Sequence, residues 1–534
     1  MSRIPRMPLL TFPDGFQWGA ATAAYQIEGA CREDNRGLSI WDTFTHQPGT
    51  IQDGATGDVA CDHYHRMQED VDLMAGLGLQ AYRFSVSWSR VMPFGKGAIN
   101  EKGLAFYDRL IDALLAKNIE PMLTLYHWDL PQSLQDLGGW ANRSITDWFA
   151  DYANLMFERY GDRVKKWVTL NEPYIFTDIG HRRGVMAPGI RDLAIYGRTI
   201  HHAHLAHGKA VQALRASGKG GEIGITNANS SYEPADDTPE TAAAVELARD
   251  FDSRLFHGPV FGKGYPQSVL DYHDARNASL PVEEGDMAII ASPTDFLGTN
   301  LYSRSLIQAS PGRGVGFAFA APRLPLLPMG YEAAPHALGD FVRWVSKEYG
   351  YPKIYITENG VCDNTEPGPD GQVNDATRVE LLGGFLKGLH GAINDGCDVR
   401  AFYQWSLYDN FEWAFGNTKR FGMVYTDFDS LKRIPKRSAA WYSEVIRRNG
   451  VEGRAVDPVP PQRWKILPPG SLEGRDWVIP DDFDDPIDDM FEALSDDEPE
   501  WLTEEEETAF ARAREESRRG ETVSHERLLR ELGG

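Results

Sequence analysis

The chain has 534 residues, 42% apolar and 25% charged, enough for one large barrel with decorated loops or for two to three smaller domains. Its formal net charge of −24 argues against nucleic acid as a partner, because such a field repels phosphate backbones and suits a neutral substrate better. The excess is uneven: positions 455–534 hold 23 acidic and 9 basic side chains, so this end carries −14 of the total.

The first residues, MSRIPRMPLLTFPDGF, lack the apolar run of a signal peptide, and no later stretch is long enough to span a bilayer. Cys31, Cys61, Cys362 and Cys397 are scattered without a CxxC or a metal-like spacing, so a reduced, cytoplasmic setting is expected. Eight short apolar or β-branched runs then follow in order: FQWGAA from Phe16, AYRFSVSW from Ala81, PMLTLYHW from Pro121 and KWVTLNEP from Lys166. The second four are EIGITNAN from Glu222, DFLGTNLY from Asp295, KIYITENG from Lys353 and VRAFYQWSL from Val399. Helical periodicity separates several of them. After Asn100, a candidate N-cap, Leu104, Tyr107, Leu110, Ile111, Leu114 and Leu115 recur at three- and four-residue steps on one predicted helix face.

Strand and helix alternating eight times predict a parallel sheet closed into a single (β/α)₈ TIM barrel with elaborated loops. An open doubly wound sheet would usually carry a Gly-rich phosphate turn after its first strand, and none is present. Apolar residues open nearly every run and a reactive or hydrogen-bonding side chain closes it. His127 and Trp128 end the third, Asn171 and Glu172 the fourth, Tyr302 the sixth, Glu358 the seventh and Trp405 the eighth. In a barrel these ends converge on the C-terminal face, where active sites are built.

Glycosidic bonds are cleaved by two carboxyl groups flanking the anomeric carbon. Glu172 in TLNEP and Glu358 in ITENG each sit beside an Asn at the end of a separate run. A lone glutamate at such a place is more often a cap or an ion pair; two together point to that chemistry. These residues also carry a resemblance. From about Phe12 to Arg448 the chain resembles glycoside hydrolase family 1, the β-glucosidase family. TLNEP and YITENG match its acid/base and nucleophile motifs, and QIEGA, YRFSVSW, YHWDLPQ and WSLYDNFEW match others in the same order.

The resemblance implies a retaining β-glycosidase acting on terminal β-glucosyl residues, with galactosides and fucosides as further options, and with neither cofactor nor metal. Glu358 would attack carbon and Glu172 would serve as acid and then base, the two carboxyls roughly 5–5.5 Å apart rather than the 6.5–9.5 Å of inverting enzymes. Arg83 and Tyr302 would keep Glu358 ionised and aimed. Gln26, His127, Trp128, Asn171, Asn300, Glu412 and Trp413 would bind the sugar, with Trp405 beneath its ring. A carboxylate at Glu412 would accept from the 4- and 6-hydroxyls and repel a 6-phosphate. Tyr331 stands where the family often has a Trp as leaving-group platform. A transglycosidase, or a non-catalytic sugar-binding relative, are the rival readings.

The histidines of HHAHLAHGKA (His201, His202, His204 and His207) lack an accompanying carboxylate ligand in their run and predict a packed helix rather than a metal site, as does DHYHR from Asp62. The segment from Ser310, SPGRGVGFAFAAPRLPLLP, predicts neither helix nor strand. The barrel domain is expected over 1–454, a proline-rich linker over 455–480 and an acidic, partly helical or disordered tail over 481–534. GSLEGRDWVIPDDFDDPIDDM from Gly470 resembles the ends of small bacterial antitoxin-type proteins, and RRGETVSHERLLREL from Arg518 another such ending. The tail is therefore either an interaction segment or a solvated appendage.

Overall fold

The computed structural model describes residues 8–312 and 314–453; the expected linker and tail lie outside them. Eight parallel strands form the frame: β1 (Gln17–Ala21), β2 (Ala81–Ser85), β3 (Glu120–Tyr126), β4 (Lys166–Asn171), β5 (Glu222–Pro234), β6 (Phe296–Ala309), β7 (Ile354–Asn359) and β8 (Val399–Trp405). Each pairs with the next, and β8 returns to β1 in the register Ala401 opposite Gln17, so the sheet closes with no free edge. All eight runs read from the sequence become strands. Within the barrel they are buried nearly end to end, as β2 is from Ala81 to Ser85, because helices cover the outer face and side chains fill the inner one; only the far ends of β5 and β6 are more open.

The covering helices are α1 (His63–Gly76), α2 (Glu101–Ala116), α3 (Ile145–Tyr160), α4 (Leu193–Ser217), α5 (Pro239–Arg249), α6 (Ala337–Glu348), α7 (Ala376–Asn394) and α8 (Arg437–Arg448). In α2, Leu104, Tyr107, Leu110, Ile111 and Leu114 are buried as the spacing predicts, but Leu115 is exposed. One residue beyond Leu114 is a 100° turn, enough to carry it off the apolar stripe. Asn100 holds the N-cap position, yet its amide donates to the Asp34 and Arg90 carbonyls instead of capping α2.

The loop from Ser310 departs from expectation. Phe317–Phe319 forms a short antiparallel strand on Ile307–Ala309, and Phe317 packs where β5 and β6 project together past the barrel, while Phe319 is exposed. At the opposite end Phe12, Phe16 and Trp18 pack with ring centroids 4.7–4.8 Å apart, and Trp18 donates to Asn449 after α8. Leu9–Thr11 pairs with Gly450–Glu452, tying the described ends to each other. Among the described residues no helix is long and apolar enough to cross a membrane.

Candidate active site

The polar strand ends meet at the C-terminal face, and one guanidinium sets the polarity of their hydrogen bonds. Arg83 on β2 has only donors. Its Nη1 reaches Glu358 Oε1 at 2.5 Å, its Nη2 reaches Asn171 Oδ1 at 2.6 Å, and its Nε reaches Thr124 Oγ1 at 3.1 Å. The Asn171 carbonyl must therefore face Arg83, which turns its NH₂ toward His127 Nε2 at 3.1 Å and Glu172 Oε2 at 3.4 Å. Because His127 Nε2 accepts, the ring proton sits on Nδ1. Asn300 on β6 donates to both Asn171 Oδ1 (3.1 Å) and Glu172 Oε1 (3.0 Å). Tyr302 donates to the second oxygen of Glu358 at 2.7 Å. Glu172 and Glu358 thus belong to one buried network, joined through Arg83, Asn171 and Asn300.

Burial decides the charges. Desolvation, then the Glu358 charge, pushes Glu172 up to about 8, with Asn300 and Arg83 opposing. Glu358 is also raised by burial, but Arg83, Tyr302 and Asn300 each pull it back. The pair has one proton to place, and it resides on Glu172, which lacks a direct cation. Tyr302 stays a phenol, its pKa driven well above the usual 10 by burial and by the Glu358 charge. His127 is held well below its usual range by desolvation and by Arg83, and is neutral.

Around the pair lies a bowl of rings and amides. His127 stacks with both Trp405 and Trp413, each centroid 5.8 Å away, and Trp128 tilts against Trp413 at 4.5 Å. Trp128 also donates its indole N–H to the Asn171 backbone carbonyl at 2.9 Å. Gln26 is held by Asn410 (3.0 Å) and the Phe411 carbonyl (2.8 Å), leaving its own carbonyl oxygen buried without a donor. His127 Nδ1 is likewise buried without a partner. Glu412 lies just before Trp413; burial and the Glu358 charge raise it to about 8, against a pull from Lys419. Tyr331 is partly exposed, its ring 6.0 Å from that of Tyr302. Trp128, Glu172 and Trp413 all take positive φ (77°, 50° and 51°), a costly conformation for such side chains that clusters at functional sites.

Every site residue named from the sequence lies on this face, in or beside the network. The sequence reading missed the supports: Thr124, which anchors Arg83; Asn410, which orients Gln26; and Thr226 and Thr357, behind Asn300. Thr357 and Asn410 lie inside recognised motifs, but their partners come from other strands and loops. Burial and the Glu358 charge favour the protonated form of Glu412, which offers a donor as well as an acceptor.

The histidines of α4 point elsewhere. His202 and His204 pair with the Trp140 and Ile200 carbonyls, His207 with Thr169, and His201 with Asp286 at 2.8 Å. His63 of DHYHR pairs with Asp70. All four cysteines are free and buried.

The sequence model of Glycosyl hydrolase family 1 matches residues 9–451. Beta-glucosidase A of Thermotoga maritima is 45% identical over 447 residues, 84% of this chain and 100% of that protein. A 1,4-beta-D-glucan glucohydrolase of Thermotoga neapolitana is 45% identical over 441 residues, covering 82% and 99%. The solved family 1 b-glucosidase from Thermotoga maritima superposes with a TM-score of 0.81 at 45% identity, over 83% of this chain and 100% of that one. The same enzyme in complex with deoxynojirimycin gives 0.81 at 46%. With that coverage, and with a closed barrel bearing paired glutamates at its mouth, the chain belongs to glycosyl hydrolase family 1.

Proposed function

We propose that Glu172 and Glu358 divide the work of a retaining β-glucosidase. Glu358 attacks the anomeric carbon while Glu172 passes its proton to the departing glycosidic oxygen, which leaves as the alcohol. A glucosyl ester on Glu358 results. Water then attacks that carbon, Glu172 takes the water's proton, and glucose leaves as the Glu358 carboxylate is restored.

One observation carries this reading: two buried carboxyls joined in one hydrogen-bond network, only one of which is clamped by a guanidinium. While Glu358 is ionised, its charge keeps Glu172 protonated, as an acid must be. Once Glu358 is esterified the charge is gone, Glu172 acidifies, and it can act as base. Tyr302 and Arg83 hold the nucleophile's two oxygens, so an attacking lone pair is aimed without rotation.

The sugar is a neutral hexose. The unpartnered Gln26 carbonyl and His127 N–H suit an equatorial hydroxyl, which both gives and takes a hydrogen bond. Glu412, protonated, suits the 4- and 6-hydroxyls in the same way. A 6-phosphate would sit buried near ionised Glu358 and would hold Glu412 in its uncharged form, so its burial costs more than a hydroxyl's. Asn171 lies within reach of the 2-hydroxyl, where contacts tighten as positive charge grows on the ring. Trp405 and Trp413 supply apolar faces for the C–H side of the ring.

Short β-glucans are natural candidates, since the Thermotoga neapolitana relative is named a 1,4-beta-D-glucan glucohydrolase. The four buried thiols favour a cytoplasmic setting. The deciding experiment follows the anomeric configuration of the first-formed sugar by NMR on a cellobiose or aryl β-glucoside substrate. Release of β-glucose supports the assignment; release of α-glucose overturns it. Added alcohol acceptors in the same tube measure how far transfer competes with hydrolysis.

A further inference from the structure

We propose that Thr226 and Thr357 are positioning residues for the acid/base, holding the Asn300 amide in the orientation that donates to Glu172. The proposal rests on the reading of Glu172 as the proton-transferring group. Thr226 lies on β5, Asn300 on the neighbouring β6 and Thr357 on β7 beyond it. Thr226 Oγ1 donates to Thr357 Oγ1 at 3.2 Å, and Thr357 Oγ1 donates to Asn300 Oδ1 at 2.8 Å. Asn300 Nδ2 then donates to Glu172 Oε1 at 3.0 Å. All three residues are buried, so no bulk water substitutes for a missing link.

The direction of this chain matters because an amide can turn over at little steric cost. Its two ends have the same shape, and only hydrogen bonds tell them apart. Turned over, Asn300 would point its carbonyl at Glu172 and its NH₂ at Thr357. The Thr357 proton would then lose its acceptor, because among the described residues it donates to Asn300 Oδ1 alone, while the Thr226 hydroxyl already donates to it. The two threonines therefore oppose the flip from one side, as Arg83 acting through Asn171 opposes it from the other.

Two further contacts place this chain around Glu172. The Glu172 N–H donates to the Thr226 carbonyl at 2.8 Å, so Thr226 holds the acid/base by its backbone as well. Gly298 lies against the Thr226 hydroxyl so closely that a Cβ there would come within 2.2 Å of Oγ1. Glycine at 298 keeps open the space that the hydroxyl uses.

Thr357→Val keeps the shape and removes the hydroxyl. Its expected signature separates the acid/base from the nucleophile. With an alkyl glucoside, whose leaving group needs the proton, kcat/KM falls about tenfold, the worth of one hydrogen bond. With a dinitrophenyl glucoside, which needs no proton, it stays within about twofold. The alkaline limb of kcat/KM moves up by as much as about one pH unit, because a carboxylate losing a donor holds its proton longer. Thr357→Ser restores both readouts. Thr226→Val acts in the same direction with a smaller effect, and carries the test by itself should Thr357→Val fail to fold.

Equal losses on the two substrates, an alkaline limb that stays put or moves down, or no recovery in Thr357→Ser would overturn the proposal. The underlying reading fails in a different way. A Glu172→Ala variant that hydrolyses both substrates like wild type would remove the acid/base assignment itself. A Glu172→Ala variant selective for the dinitrophenyl substrate, alongside a silent Thr357→Val, overturns only the positioning role.

Discussion

At the N-terminal ends of the strands, Lys166 of β4 reaches Glu120 of β3 at 3.0 Å and Gln17 of β1 at 2.7 Å. Lys353, just before β7, reaches Glu222 of β5 at 2.5 Å, and Tyr355 donates to the same carboxylate at 2.8 Å. Each acid there has its own ammonium, and all four charged side chains keep some exposure to water. At the C-terminal ends, Glu172, Glu358 and Glu412 are more deeply buried, and only Glu358 has a cation within hydrogen-bonding reach, Arg83. One end of the barrel pairs each acid with a cation; the other buries three carboxyls around one guanidinium and leaves Gln26 Oε1 and His127 Nδ1 without partners. Buried carboxyls without their own cations survive where they perform work, and the paired charges at the bottom of the same barrel show that the fold does not require them.

If that contrast is right, changes at the top alter chemistry far more than stability, and changes at the bottom do the reverse. The largest effect is expected from Glu358→Ala: kcat on an aryl β-glucoside falls by about 10⁴-fold or more, with the melting temperature near wild type or above it. Ordinary turnover in this variant would remove the nucleophile from the account. Glu172→Ala comes next. It loses about 10²–10⁴-fold on substrates with poor leaving groups and little on activated ones, and azide restores turnover by trapping the glucosyl group.

The third expectation concerns pH. Glu172 works as an acid only while protonated, so kcat/KM declines as pH rises through about 8. Glu412, also at about 8, titrates in the same window; Glu412→Gln weakens substrate binding and moves the Glu172 limb slightly down, since the Glu412 charge helps to raise it. The same group links pH to stability. In the unfolded chain its pKa returns to about 4.5, so between there and about 8 the folded state binds more protons than the unfolded one. The Glu412 contribution to stability therefore falls as pH rises across that interval. Glu412→Gln abolishes its share of the loss: melting a few degrees above wild type at pH 8, and level with it near pH 4.5. A wild-type melting temperature that climbs over this interval, with no advantage for the variant, would contradict the buried-acid account.

The smallest change is predicted at the bottom. Lys353→Met leaves kcat within about twofold and lowers stability by about 1 kcal/mol, as for a partly exposed ion pair. A hundredfold loss of activity there would end the distinction between the two ends.

Much of this was legible in the residues. Alternating runs announced the barrel because parallel strands are buried on both faces and must be apolar nearly throughout. Glu172 and Glu358 stood out because barrel topology sends strand ends to one face wherever they fall in the chain. The errors share a cause. Leu115 follows the apolar spacing, but the exact rotation of α2 against the barrel exposes it. The strand Phe317–Phe319 exists because β5 and β6 project far enough to offer an edge, a fact about their length in space. The supporting residues Thr124, Thr226 and Asn410 were invisible because a hydroxyl or an amide looks alike wherever it occurs; only the partner distinguishes it.

The order of strands, the type of each element and the identity of the paired glutamates follow from the linear sequence, since periodicity and local chemistry are properties of neighbours along the chain. The placement of protons among three buried carboxyls, the polarity of every amide around Arg83 and the raised pKa of Glu412 do not. Those depend on desolvation and on distances between residues from different strands, and neither exists until the barrel closes.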